Sequence, residues 1–119
     1  KLVETAGATY VARGTAYHIN LTEKLIFNAL NHKGFSFVEV VTQCPTGFGR
    51  QNKMADPYEL MMWQKENGVR VNDSNRNEIL EEGKFLIGEL SKRNDRVEFT
   101  DSYKDLLVRA SKIKGGVKA

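Results

Sequence analysis

Phe35-Ser36-Phe37-Val38-Glu39-Val40-Val41-Thr42 decides the fold. The run is β-branched and aromatic, free of Gly and Pro, and therefore reads as a strand. Its apolar residues fall on both faces: Phe35, Phe37 and Val41 on one, Val38 and Val40 on the other. That is the pattern of a strand covered on both sides, as in a parallel sheet. Upstream, Thr9-Tyr10-Val11-Ala12-Arg13, closed by Gly14, reads as a second strand. Between the two, Leu21, Leu25, Ile26, Ala29 and Leu30 make one apolar helical face. Asn20 is the expected cap, with Glu23 completing a box-like pair. His32, Lys33 and Gly34 end the helix. Strand, helix and buried strand make a βαβ unit, whose crossover is expected to be right-handed. The predicted class is α/β: a partial parallel sheet with flanking helices.

Working outward, Gln43 to Ala55 is a glycine-containing loop. Asp56-Pro57-Tyr58-Glu59 starts a second helix, with Asp as cap and Pro at the first position. It runs through Leu60, Met61 and Trp63 and ends near Gly68. Val69 to Asn77 is polar and reads as loop. Residues 79–90 leave two readings, a short helix at Ile79-Leu80 and a strand at Phe85 to Leu90. A last helix starts near Thr100-Asp101 and carries Tyr103, Leu106, Leu107, Ala110 and Ile113 at helical spacing. The lysine- and glycine-containing end from Lys112 is expected to fray. The expected division is a domain over 1–112 and a flexible basic tail over 113–119.

Composition bounds the rest. With 119 residues, net charge +3 and one cysteine, the chain is expected to form one domain without an internal disulfide. Eighteen Lys and Arg against fifteen Asp and Glu is solubility rather than a nucleic-acid footprint. No apolar run approaches bilayer length. The expected setting is reducing and cytoplasmic. The chain opens without Met on Lys1-Leu2-Val3-Glu4-Thr5, which reads as helix interior, so a piece of a longer protein is expected.

In open parallel sheets, ligands bind beyond the carboxyl ends of the strands. Gln43-Cys44-Pro45-Thr46-Gly47-Phe48-Gly49-Arg50 lies there. Cys44 offers a soft ligand or a nucleophile, and Arg50 a partner for an anion. The plainer alternative is that Cys44 is a small buried apolar residue. The Gly47 to Arg50 segment lacks the Lys-Ser/Thr ending of a phosphate loop. His18 and His32 have no second ligand at a metal spacing, so surface or capping roles suit them better. Glu39 is either a buried functional acid or the partner of a Lys or Arg. Met61, Met62 and Trp63 form an apolar helical stripe, core or interface before cofactor site.

The runs Ala6 to Gly14, His32 to Val40, Gln43-Cys44-Pro45-Thr46, Gly49 to Met54 and Trp63 to Asn67 resemble one family. So do the shorter stretches Gly83 to Gly88 and Phe99-Thr100. The chain is similar to the carboxyl-terminal part of the beta subunit of 2-oxoacid:ferredoxin oxidoreductases, the 2-oxoglutarate enzymes above all. The resemblance implies an enzyme binding thiamine diphosphate and Mg²⁺, which with an alpha subunit decarboxylates a 2-oxoacid. Electrons then pass through a [4Fe–4S] cluster to ferredoxin, and the acyl group goes to coenzyme A. The family's Gly-Asp-Gly…Asn stretch and Cys-x-x-Cys do not occur in these residues. One residue carries across: Cys44 matches the fourth cluster cysteine, and this overturns the plainer reading of it. Arg13, Thr46, Arg50 and Asn52 are lesser candidates, as supports for the cluster loop or a partner surface. The last helix and basic end are a candidate surface for the alpha subunit. The chain alone is expected to be inactive. Pyruvate or a branched 2-oxoacid as substrate, and a non-catalytic module retaining this half of the fold, are the alternatives.

Overall fold

The structure is a computed structural model describing residues 1–76 and 80–114. A four-residue helix, α1 (Leu2–Thr5), precedes strand β1 (Tyr10–Thr15). Helix α2 (Ile19–Asn31) then crosses to β2 (Ser36–Val41), which pairs parallel to β1 from Tyr10↔Ser36 to Thr15↔Val41. A π-helical turn at Pro45–Gly49 leads to α3 (Pro57–Asn67), directly followed by β3 (Gly68–Arg70). β4 (Phe85–Lys92) and α4 (Phe99–Lys114) complete the order.

The sheet is open and mixed, in the order β2-β1-β4-β3. The α/β class and flanking helices are as expected from the sequence. The parallel pattern is interrupted once, because β4 pairs antiparallel to β1. The ladder passes from Val11↔Ser91 to Ala12↔Glu89, so Leu90 is an extra residue, a bulge. β3 runs parallel to β4. The predicted loop from Val69 therefore begins as strand. Its three residues are too few to show period-two alternation, which is why the pattern missed it. The ambiguous stretch resolves to strand at Phe85; Ile79 lies outside the described residues. So do residues 115–119, most of the expected flexible tail, while α4 itself runs to Lys114.

α2 covers one face of the β1–β2 pair. Tyr10, Ala12 and Leu25 form the buried cluster there, with Leu21, Ala29 and Val38 packed against it. Gly14 is placed by close approach: a Cβ on it would collide with Thr22 Oγ1 of α2. That hydroxyl donates to the Thr15 carbonyl at 2.9 Å and accepts the Thr15 N–H at 3.1 Å. The α2 start departs from expectation. The helix begins at Ile19, Asn20 lies inside its first turn, and His18 at the cap position makes no side-chain cap bond. Thr15 Oγ1 instead accepts the N–H of His18 itself at 3.1 Å, which closes the short turn between β1 and α2. At α3 the expected cap is present: Asp56 Oδ1 accepts the Tyr58 N–H at 2.9 Å.

β2 corrects the reading of a doubly covered strand. It is an edge strand, with Phe35, Phe37 and Val40 exposed by 51%, 39% and 40%. Val38 faces α2, and nothing among the described residues closes the opposite face over Phe37. α4 is likewise uncovered, every residue from Phe99 to Lys112 being exposed. The radius of gyration, 20.7 Å, exceeds the ~13.5 Å of a compact chain of this length.

Truncating Leu25, which is 3% exposed, is expected to cost about 2–5 kcal/mol. Leu30→Ala, at an 80% exposed position of the same helix, should change stability by under about 0.5 kcal/mol. Urea unfolding of both variants checks the pair.

Candidate functional site

Parallel pairing sends β1 and β2 toward the same end of the sheet, so their exit loops are neighbours. From β1 come Ala16, Tyr17 and His18; from β2 come Thr42, Gln43 and Cys44. Val41, Thr42, Gln43 and Cys44 line a cavity of about 140 Å³, closed on the other side by Phe48, Leu60, Trp63 and Gln64. Cys44 is exposed, which excludes the small-buried-residue reading.

The chain after Cys44 folds back on itself. The Gly49 N–H donates to the Cys44 carbonyl at 2.9 Å, and the Met54 N–H to the Gly49 carbonyl at 2.7 Å. Asn52 fastens the turn twice on the Phe48 carbonyl, through its backbone N–H at 3.0 Å and its Nδ2 at 2.8 Å. Gly49 is buried against the Met54 carbonyl, leaving no room for a Cβ. The reversal points the Phe48 and Gly47 backbone N–H groups toward the thiol. Those two dipoles, Phe48 first, hold the Cys44 thiol below its ordinary range against the opposing effect of desolvation, with a lesser contribution from the Thr46 hydroxyl. The group is therefore disposed to act as thiolate, the form that binds metals and attacks electrophiles.

One wall of the cavity is aromatic. Trp63 stacks on Phe85 of β4 at 5.5 Å between centroids and meets Phe48 at 6.2 Å. Trp63 of the α3 stripe thus fixes the π-helical turn against the sheet. Gln64, 1% exposed, accepts the Tyr17 N–H at 3.0 Å and ties α3 to the β1 exit loop. The sequence reading missed this residue. Its one signal is a polar side chain a helical turn after buried Leu60.

The other candidates separate. Arg13 pairs with Glu39 at 2.6 Å, directly across the β1–β2 ladder, so Glu39 is an ion-pair partner and not a buried acid. Thr46 and Asn52 belong to the Cys44 turn, and Arg50 is exposed at its end. Both histidines are held by threonines. His32 Nε2 lies 2.8 Å from Thr9 Oγ1, and His18 Nδ1 lies 2.8 Å from Thr15 Oγ1. Burial, and secondarily the Arg70 charge, hold the His18 imidazole below its ordinary range. Among the described residues, no three His, Cys, Asp or Glu side chains gather as a metal site. No helix there is long and apolar enough to cross a membrane.

No family model matches the chain. Individual proteins do. The chain is 46% identical over 92 residues to the 2-oxoglutarate synthase subunit KorB of Methanothermobacter marburgensis, covering 76% of this chain and 32% of that one. The same subunit from Methanocaldococcus jannaschii is 40% identical over 92 residues, covering 75% and 33%. A 2-oxoacid:ferredoxin oxidoreductase subunit beta from Sulfolobus is 42% identical over 45 residues, covering 38% and 15%. The chain spans about a third of the length of the KorB subunits it matches. Among solved structures, its fold is similar to the 2-oxoglutarate:ferredoxin oxidoreductase from Magnetococcus marinus, with 2-oxoglutarate, coenzyme A and succinyl-CoA bound. The TM-score is 0.60 at 21% identity, over 97% of this chain and 42% of that one.

Two titrations check the local electrostatics. Iodoacetamide should alkylate Cys44 in the folded chain at lower pH than in the urea-unfolded chain, because the turn stabilises the thiolate. His18 takes up its proton more readily unfolded than folded, so its contribution to stability is lost as pH falls through and below ~6.5. Wild type should therefore lose stability more steeply than His18→Gln between about pH 7 and 5.

Proposed function

The chain belongs to the beta-subunit family of 2-oxoacid:ferredoxin oxidoreductases, and from that premise we propose that it is the carboxyl-terminal third of a 2-oxoglutarate-oxidising subunit. The whole enzyme would pair this subunit with an alpha subunit in the cytoplasm. It would convert 2-oxoglutarate to its acyl-CoA with thiamine diphosphate and Mg²⁺, and deliver the electrons through a [4Fe–4S] cluster to ferredoxin. The preference for 2-oxoglutarate is supported by the KorB names, which go with identities of 40–47% over 66–78% of the chain.

The residues here fit the cofactors unequally. For thiamine diphosphate they supply no matching diphosphate or Mg²⁺ ligands, and no step through it is derived. For the cluster they supply one suitable donor, Cys44: an exposed thiol, stabilised as thiolate, at the carboxyl end of a sheet strand. A cubane cluster takes four thiolates, and the single cysteine of this chain would be one of them. When bound, the cluster stores and passes single electrons. The protein's share is to hold Sγ in place. The Asn52 and Gly49 bonds fix the turn, and the Phe48–Trp63–Phe85 stack backs it with apolar surface.

The observation that carries this reading is the exposed Cys44 on the strand-end turn, in a chain alignable with KorB. In the full-length subunit joined to its alpha partner, Cys44→Ala should lower iron content and abolish or alter the reduced-cluster EPR signal. A normal iron content with an unchanged signal would sink the assignment.

A further inference from the structure

We propose that Gln64 is a hydrogen-bond donor to the inorganic sulfur of the cluster held at Cys44, and that it raises the cluster's reduction potential; this rests on the reading of Cys44 as a cluster ligand. Glutamine is a residue that proteins mostly leave in water, yet Gln64 is buried within α3. A buried amide needs partners at both of its ends. Gln64 Oε1 accepts the Tyr17 N–H at 3.0 Å. A backbone N–H can only donate, so this bond fixes which end of the amide is oxygen, and Nε2 with its two hydrogens faces the other way. The hydrogen bonds of the described residues hold no acceptor for Nε2. No buried side-chain nitrogen or oxygen among them is left without a partner either. Nε2 therefore keeps the trace of open surface that Gln64 retains, and it opens on the cavity that Gln64 lines.

That cavity, about 140 Å³, is well below the ~300 Å³ of a pocket that encloses a whole small-molecule ligand. It takes a few atoms, and its walls say which kind. Val41, Phe48, Leu60 and Trp63 are apolar, so the Gln64 amide calls for an acceptor in otherwise dry surroundings. Cys44 both lines the cavity and is exposed, which puts it at the cavity's mouth. The thiol draws its own hydrogen bonds from Phe48, Gly47 and Thr46. The Gln64 N–H groups are not spent on it and are left for atoms bound beyond the sulfur. In a cubane cluster those atoms include sulfides, and hydrogen bonds to the sulfurs are one of the levers on its potential. Reduction adds negative charge, so a donor favours the reduced cluster over the oxidised one. Apolar walls strengthen the bond by keeping water out. The Tyr17 bond holds the amide in place before the cluster arrives. Water filling the cavity is the competing occupant.

An EPR-monitored redox titration of the full-length subunit with its alpha partner tests this. Gln64→Met keeps the side chain's shape and removes both donors. It should hold as much iron as wild type, with the reduced-to-oxidised ratio at a fixed potential lower by about tenfold, which is about 59 mV for one electron. Gln64→Glu keeps an acceptor for the Tyr17 N–H. Its carboxyl donates when protonated and repels the reduced cluster when ionised, so its midpoint should fall with rising pH more steeply than that of wild type. A Gln64 that only braces α3 would produce neither shift. Iron-replete variants with the wild-type midpoint and pH slope would overturn the proposal and leave water as the occupant. Iron lost from Gln64→Glu to the level of Cys44→Ala would overturn it too, since Gln64 would then hold the turn rather than tune the cluster. Should Cys44→Ala keep its iron and signal, the cluster assignment itself fails, and this proposal with it, whatever the Gln64 variants show.

Discussion

Everything near Cys44 depends on the parallel pairing of β1 with β2. Two parallel strands cannot be joined by a tight turn, so the chain must cross over the sheet, and α2 makes that crossing. The crossing buries Tyr10, Ala12 and Leu25, and the Gly14–Thr22 contact sets how closely the helix approaches. Because both strands then run the same way, the loops after Thr15 and Val41 emerge side by side. A site at that end follows from topology before any reactive side chain is considered.

α3 turns that placement into a particular geometry. It presents Leu60, Trp63 and Gln64 to the β2 exit, and Gln64 to the backbone of the β1 exit. Trp63 lies between Phe48 of the turn and Phe85 of β4, so the turn is held by a strand remote in sequence. The thiol itself is left in the open. The apolar surface positions the backbone, and the backbone dipoles of Phe48 and Gly47 condition the sulfur.

The βαβ unit was legible because its signals are local: a β-branched run, a 3.6-residue apolar period, and Gly34 as a stop. The α3 start was legible for the same reason, in Asp56-Pro57. What the pattern misread depends on distant partners. The apolar residues on both faces of β2 implied two covered faces, yet Phe37 stays exposed because the described residues supply a layer on one side only. The antiparallel insertion of β4 beside β1 left no local mark, since a short apolar run reads alike in either direction. The Asn20 cap did not form because α2 begins earlier, at Ile19, and takes Asn20 into its first turn. At the candidate site, the placement of Cys44 at a strand end was legible, and Gln64 was not, because its partner is the Tyr17 amide 47 residues away.

The exposed apolar positions of β2 and α4 make this chain a set of surfaces as well as a site. In the proposed subunit, the remaining cluster ligands lie on segments beyond these residues, and Cys44 has its full meaning only there. Anomalous diffraction at the iron edge from crystals of the full-length subunit with its alpha partner is the most direct measurement. The account predicts an iron peak within bonding distance of Cys44 Sγ; four iron peaks all ligated by other residues, with Cys44 free, would contradict it.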